Sequence, residues 1–346
     1  MSSESKNATL TSIATAAGVS VSTASRVLNQ NDKIISISQK TKDKVLAAAR
    51  EMGYMPSMAA RALRSGSTRT IGILGTSPRF FIRDDNPTDQ HVSFVNEIMR
   101  GLINSTVERG YNLTLLTGAE LQNVTEMEML AGFGMVDGML VLNRDLSAES
   151  LLSNTLHRYT RPLVYALDYQ DDDETVVAPD DVQGGRLATR TLLERGHKKI
   201  AFISAPFFKD IFKRRKAGWE IALSGAGINP AEQFFVKDIF TLSPDKIIAS
   251  GCTAAVCANA PCAEIFSELC EDAGIAVPGK MEFISFFHET AVRKQNQAFA
   301  NVVSPLAAII ADGVHQLIDR IEGVQTAGAK KLFPFKMQYG QSCPEK

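Results

Sequence analysis

Residues 10–29 read LTSIATAAGVSVSTASRVLN, and this stretch predicts two short helices joined by a tight turn. The first helix is indicated by apolar residues at the i, i+3, i+4, i+7 spacing of one helical face: Leu10, Ile13, Ala14 and Ala17. Thr9 suits its N-cap, and Gly18 suits the position just past its C-terminus. Ser20 is expected to cap the second helix, which leaves a turn as short as that of a helix-turn-helix.

The predicted second helix has an apolar side that can pack inward and a small polar side. The outer side carries Val21, Ser22, Ser25, Arg26 and Asn29. A helix with such a face can enter the major groove of DNA, where an Arg makes bidentate contacts to guanine, so Arg26 is the main candidate for base recognition. Small domains also contain helices whose polar face is only solvated, and the two-helix pattern alone leaves both interpretations open.

A third helix is predicted from Ser38 to Gly53, with an apolar stripe at Val45, Ala48, Ala49 and Met52. After it, residues 58–64 are too few for a stable isolated helix, because helices below about 12 residues are marginal in water. The sequence Ser65-Gly66-Ser67 then breaks the pattern. We therefore expect a hinge segment that becomes helical when it meets a partner.

The charge of the chain is unevenly distributed. The 346 residues carry 37 basic and 38 acidic side chains, yet residues 1–70 alone have ten Lys or Arg and four Asp or Glu, a net charge of +6. The remainder has a net charge of −7. This asymmetry indicates a small basic module that meets a polyanion, joined to a larger acidic body. The length also exceeds that of most single cores, so two or three domains are expected.

Residues 10–29 resemble the signature of the LacI/GalR family of transcriptional regulators, and GYMPSMAARAL at residues 53–63 resembles its hinge. The resemblance implies that Val21, Ser22 and Arg26 contact bases, with Ser25 on the same face. Further positions match residues near phosphates: Thr9, Ser20, Thr23 and Asn29. Leu63 matches the apolar wedge that kinks the centre of the operator through the minor groove. Small residues at Ala59 and Ala60 would let two hinges pack together in a homodimer. Ser57 replaces the usual Asn of the hinge.

From Thr70 onward, short apolar strands alternate with helical segments, which predicts parallel sheets with helices on both faces. Ligands bind such folds at the carboxyl ends of the strands. The region resembles the type I periplasmic-binding-protein-like core of the same family, for example at RKAGW, residues 215–219. The implied fold is a small all-α helix-turn-helix head with a hinge helix, followed by an α/β core of two parallel-sheet subdomains.

In such a core the chain crosses between subdomains three times, and we expect the crossings near Leu167, Lys294 and Gly323. The expected domains are 1–53 for the DNA-binding head, 54–69 for the hinge and linker, and 70–346 for the core, with the N-subdomain at about 70–167 and 295–323 and the C-subdomain at about 168–294 and 324–346.

The resemblance places an effector site in the cleft between these subdomains. Arg215 matches the Arg that donates to a sugar hydroxyl or carboxylate, although it could also be a surface residue of the basic run 213–216. Asp168 follows a strand where a sugar-contacting acid often lies. Asn259 matches the first residue of the family's Asn-Asp pair, but Ala260 replaces the acid.

The family's Gly-Phe-Asp-Asp reads SFFH at residues 285–288, so Phe287 and His288 stand where acids are usual. Without those hydroxyl acceptors, the effector could be a sugar, a larger, phosphorylated or aromatic compound, or absent. In the last case the core would serve only for dimerisation. Phe207, Phe208 and Phe287 could supply apolar walls.

The sequence therefore predicts a homodimeric repressor of a carbohydrate or related catabolic operon, with operator DNA and a small-molecule effector as partners. The alternative is a solute-binding protein of the same core fold. No enzyme is expected, because nucleophile-elbow, P-loop and zinc-protease motifs are absent from the sequence. No cofactor or metal is expected either, since the four cysteines within residues 252–270 form no C-x-x-C pair. No apolar run reaches the ~18 residues that cross a membrane, and no secretory signal is present, so a cytoplasmic location and reduced thiols are expected.

Overall fold

The computed structural model describes residues 8–28, 37–54, 62, 66–74, 89–116, 135–142, 162–169, 175–206, 209–288, 299–324 and 327–345. The chain divides into two compact units, Met1–Arg69 and Thr70–Lys346, which we call the head and the body. Most of the predicted hinge, including Ala60 and Leu63, lies outside the described residues, as do Asn29, Phe207, Phe208 and Lys294. No helix in the described part of the chain is long and apolar enough to span a bilayer.

The head contains helices α1 (Leu10–Ala17), α2 (Val21–Leu28) and α3 (Gln39–Glu51). The predicted caps are confirmed: the Thr9 side chain accepts a hydrogen bond from the Ser12 amide, and the Ser20 hydroxyl accepts one from the Thr23 amide at 3.0 Å. Gly18 ends α1 in the left-handed region at φ 66°, which suits a glycine. These local bonds fix the tight turn between α1 and α2.

The core of the head is small and consists of one side of each helix: Ile13, Ala14, Ala17, Ala24, Val27, Val45, Ala48 and Ala49. Most of the predicted apolar stripe of α3 is therefore confirmed. The inclusion of Met52 is wrong, because this residue is the C-cap of α3 and is 40% exposed.

The body has two lobes, each built on a six-stranded sheet. The first sheet has the order β11-β5-β4-β3-β1-β2. Its strands are parallel in every pair and consist of β1 (Thr70–Leu74), β2 (Asn112–Leu115), β3 (Gly138–Val141), β4 (Leu163–Ala166), β5 (Val176–Pro179) and β11 (Lys330–Phe333). Helices α4 (Asp89–Arg109) and α9 (Leu306–Ile321) pack on this sheet and on each other.

The second sheet has the order β12-β10-β9-β8-β6-β7. Its strands are β6 (Ile200–Ile203), β7 (Phe235–Val236), β8 (Ala254–Cys257), β9 (Glu282–His288), β10 (Ala300–Ser304) and β12 (Lys336–Gln338). Only the β10–β12 pairing is antiparallel among the described pairs of this sheet. The second lobe also contains α5 (Asp181–Glu194), α6 (Lys209–Gly225), α7 (Pro244–Ser250) and α8 (Ala260–Asp272).

The predicted crossing points, and the subdomain limits that follow from them, are wrong. Strand β5 pairs with β4, so the chain remains in the first lobe until Asp180, beyond Leu167. Strand β10 pairs with β9, so the return lies at Pro305 and not near Lys294. Strand β11 pairs with β5, so the last crossing follows Phe333 and not Gly323. The alternating pattern failed here because only nine residues connect β4 to β5, fewer than the dozen or more of an ordinary crossover between parallel strands.

Candidate functional site

The outer face of α2 presents the side chains that were predicted to contact DNA bases. Val21 is 44% exposed, Ser22 is exposed, and Ser25 and Arg26 are partly exposed, whereas Ala24 and Val27 point into the core. The head core thus orients the helix so that its small polar face remains accessible. A helix that presents this face can place Arg26 against base edges in a major groove.

Three of the residues predicted to lie near phosphates are described by the structure, and they lie at helix starts. Thr9 caps α1, and Ser20 and Thr23 lie at the start of α2, where their hydroxyls are 2.8 Å apart. Backbone N–H groups and the helix dipole at such termini favour phosphate. The starts of α1 and α2 are therefore suited to the DNA backbone.

In the body, Arg215 is buried within the second lobe and does not lie on the surface, since its side chain is 13% exposed. Its Nε donates to Asp181 Oδ1 at 2.8 Å, and its Nη1 donates to the carbonyl oxygen of Ala258 at 2.5 Å. The guanidinium is 4.1 Å from the ring centroid of Phe286. The surface alternative for Arg215 is therefore wrong.

The neighbouring Arg214, which sequence reasoning missed, engages the predicted acid Asp168. Its Nη2 donates to Asp168 Oδ1 at 2.9 Å, its Nη1 to the Tyr169 carbonyl at 3.1 Å, and its Nε to Asp181 Oδ2 at 3.4 Å. The guanidinium also lies 4.2 Å from the Tyr169 ring centroid. Asp181 is 1% exposed and lies between the two arginines. We call Arg214, Arg215, Asp168, Tyr169 and Asp181 the interlobe site.

Burial governs the electrostatics of this site. Asp168 is 8% exposed, and desolvation raises the pKa of its carboxyl group, although the hydrogen bond from Arg214 acts in the opposite direction. The two carboxylates and two guanidiniums balance in charge. Because each charge is held away from water, each depends on its partner for stabilisation.

Two glycines allow α5 and α6 to pack closely enough for the arginines of α6 to reach Asp181. A Cβ added to Gly185 of α5 would lie 2.0 Å from the Arg215 carbonyl oxygen, and one added to Gly218 of α6 would lie 2.1 Å from the Val182 carbonyl oxygen. The helices therefore touch through their backbones, which only glycine permits at this distance. The contact holds the arginines of α6 against the first turn of α5, where Asp181 lies.

The remaining predicted effector residues are Asn259, Phe287 and His288. Asn259 caps α8, its Oδ1 accepting from the Cys262 amide at 3.0 Å, and Ala260 is buried behind it. Phe287 is partly buried on β9, but Phe286 is the ring that contacts Arg215. His288 ends β9 opposite Ser304, and its side chain lies outside the described residues. Asp181 and Phe286 carried no signal in the sequence, because their roles depend on tertiary contacts.

Four of the cysteines are buried free thiols, and Cys252 is only partly buried. Cys257 lies on the predicted strand, now β8, and is fully buried together with Cys262 and Cys270. Desolvation raises the pKa of Cys262 to about 12 and that of Cys270 to about 11. Among the described residues, no group of three or more His, Cys, Asp or Glu side chains could hold a metal ion.

Comparisons with known proteins identify the same parts. Residues 9–57 match "Bacterial regulatory proteins, lacI family". Residues 87–250 match "Periplasmic binding proteins and sugar binding domain of LacI family", and residues 189–343 match "Periplasmic binding protein-like domain". Together the matches include both the head and the body.

Individual proteins extend this likeness over nearly the full length. The chain is 28% identical over 323 residues to the HTH-type transcriptional repressor PurR of Vibrio cholerae, covering 91% of this chain and 92% of that protein. It is 34% identical over 237 residues to the ribose operon repressor of Escherichia coli K12, covering 67% of this chain and 66% of that protein. The lac repressor dimer bound to operator and the anti-inducer ONPF has the same fold, with a TM-score of 0.77, 20% identity and coverage of 98% of this chain and 100% of that one. The chain therefore belongs to the LacI family of bacterial regulatory proteins.

Proposed function

We propose that this protein is a homodimeric transcriptional repressor that binds operator DNA through α2 and responds to a small molecule bound between the lobes of the body. The observation that carries the proposal is the exposed polar face of α2, held outward by the head core. Such a face has no use in a solute-binding protein. A dimer would place two copies of α2 in successive major grooves of a near-palindromic site.

The regulated genes are proposed to belong to a carbohydrate or related catabolic operon. Support comes from the ribose operon repressor among the relatives and from the sugar-binding description that matches the body. The effector is proposed to contact Arg215, whose guanidinium retains N–H donors beyond those given to Asp181 and Ala258. Asn259, Phe287 and His288 are proposed to border the same ligand. Regulation and not catalysis is the proposed role, in line with the repressors that resemble the chain.

The DNA part is tested by fluorescence anisotropy with a labelled promoter fragment from the region upstream of the gene. Wild-type protein should form a sequence-specific complex that weakens steeply with added salt. Arg26→Ala should weaken it about tenfold to a hundredfold, because a bidentate base contact contributes about 1–3 kcal/mol. Arg50→Ala removes the same charge from an exposed position on α3 and should have a much smaller effect. Absence of any specific complex with the wild type would contradict the proposal.

The effector part is tested by a thermal-shift screen of pentoses, hexoses, disaccharides and their phosphates on the full-length protein. A ligand of the native state should raise the melting temperature and change the operator affinity of the wild type. Arg215→Met should abolish both responses, whereas the exposed Lys213→Met should retain them. A response that persists in Arg215→Met would show that the ligand binds elsewhere.

A further inference from the structure

One side chain of the second lobe holds a bend of the first lobe. Arg214 extends from α6, while Asp168 and Tyr169 follow β4 in the first sheet. Arg214 contacts the Asp168 carboxylate, the Tyr169 carbonyl and the Tyr169 ring. A guanidinium is well suited to this arrangement, because its planar fork donates in fixed directions and its face stacks on an aromatic ring.

The backbone of the first lobe is shaped for this contact. Leu167, between β4 and Asp168, has φ 75°, a left-handed conformation that is unusual for a residue with a branched side chain. The bend is still tied to the sheet, since the Leu167 amide donates to the Val177 carbonyl at 3.2 Å. The Tyr169 amide in turn donates to Asp168 Oδ1 at 2.9 Å. The carboxylate is thus presented rigidly towards α6.

Arg214 is in turn fixed on the side of the second lobe. Its Nε points to Asp181 Oδ2, and Asp181 also accepts from Arg215. Gly185 lets α6 pack directly against α5, and this close packing keeps Arg214 and Arg215 within reach of Asp181. Both ends of the Arg214 contact are therefore anchored in packed structure, so that movement of one lobe relative to the other must break or stretch it.

We infer that Arg214 is an interlobe clamp, a positioning residue that holds the two lobes in one arrangement when no ligand is bound. In this arrangement Arg214 donates to the Asp168 carboxylate, where a ligand hydroxyl would otherwise donate. The regulatory consequence rests on the proposed function: an effector that uses Asp168 must first displace Arg214. Ligand binding and clamp opening are then the same event, and the population of the opened arrangement sets the apparent affinity for the effector.

The clamp is tested by measuring the distance between the lobes in full-length protein without ligand or DNA. Fluorophores are attached through genetically encoded reactive residues at Val324 of the first lobe and Glu271 of the second, both exposed, and labelled chains are diluted with excess unlabelled protein. Wild-type protein should give one narrow distribution of energy transfer. Arg214→Met, which keeps an apolar stem on Tyr169 but removes the donors, should shift or broaden it. The neighbouring Lys213→Met should leave it unchanged.

Two further variants separate a clamp from a general loss of structure. Asp168→Asn keeps the size of the side chain and an acceptor oxygen, and it carries the same test if Arg214→Met does not fold. The double variant should shift the distribution no further than the larger single effect, because both changes act on the same contact between Arg214 and Asp168. A wild-type distribution in folded Arg214→Met or Asp168→Asn, or effects that add in the double variant, would overturn the inference. Operator binding is measured in a separate experiment, so the distance between the lobes can be interpreted even if the protein does not bind operator DNA.

Discussion

The outer face of α2 and the interlobe site are both polar, but their side chains are in opposite situations. On α2, Ser22 and Arg26 project from a helix whose other side is packed. In the interlobe site, Arg214 and Asp181 are directed at each other and are largely withdrawn from water. The polar groups on α2 find hydrogen-bond partners when DNA binds, whereas those of the interlobe site already pair with one another. Substitutions on α2 should therefore lower the affinity for DNA, and substitutions in the interlobe site should lower the stability of the body.

Loss of the shared carboxylate should have the largest effect. Asp181→Ala leaves two buried guanidiniums without their common partner, and we expect the body to lose about 3–5 kcal/mol of unfolding free energy. Asp245→Ala, at an exposed position in the first turn of α7, is the control. Chemical denaturation followed by circular dichroism measures both. Equal stability of the two variants would mean that the internal pairing does not support the fold.

The second largest loss of stability should come from a substitution that forces α5 and α6 apart. Gly185→Ala places a methyl group against the Arg215 carbonyl, and overpacking of this kind costs about 1–3 kcal/mol. Gly225→Ala, where nothing lies within 4 Å of the added Cβ, should be close to neutral. The denaturation midpoints of the two variants compare a tightly packed glycine with an unpacked glycine in the same lobe. An unchanged midpoint for Gly185→Ala would show that the helices can move apart freely.

A second internally paired cluster should make the body sensitive to acid. Arg195 donates to both oxygens of Glu282, and chiefly for this reason the pKa of Glu282 is lowered to about 2. Since the folded-state pKa lies below the ordinary value of 4.5, the carboxylate contributes stability above about pH 4.5 that is lost as the pH falls towards about 2.

At neutral pH, Glu282→Gln should lose about 2 kcal/mol, as expected for hydrogen bonds to a charged group. The difference from wild type should shrink between pH 5 and pH 2 in parallel unfolding titrations. The exposed Glu271→Gln should show no such convergence. A difference that is constant with pH would contradict the assigned ion pair.

The smallest effect on stability should come from Arg26→Ala. Surface substitutions away from caps and cores change stability by about 0.5 kcal/mol or less, so this variant should melt like the wild type. It should nevertheless lose most of its operator affinity. Calorimetry and anisotropy on one preparation test the contrast, and a large drop in melting temperature would place Arg26 among the structural residues of the head.

The sequence was most informative where structure depends on neighbouring residues. Thr9 and Ser20 cap their helices as predicted, and Ser38 caps the third helix that was predicted to begin there, because a cap is a contact with an amide two or three residues away. The pairing of β5 with β4 was missed, because only nine residues connect these strands, fewer than the dozen or more of an ordinary crossover between parallel strands. Arg215 was found through its motif, but its partners Asp181 and Ala258 are 34 and 43 residues away. Contacts over such separations depend on helix packing that periodicity does not encode.

The order of strands in the first sheet also has a consequence for synthesis on the ribosome. Its edge strand β11 ends at Phe333, so this lobe cannot be completed until residue 333 has been translated. Among the residues that the structure describes, the core of the head includes none beyond Tyr54. Domains fold as units from the N-terminus during synthesis, and the nascent chain should therefore carry a folded DNA-binding head well before it has a sensor to regulate it.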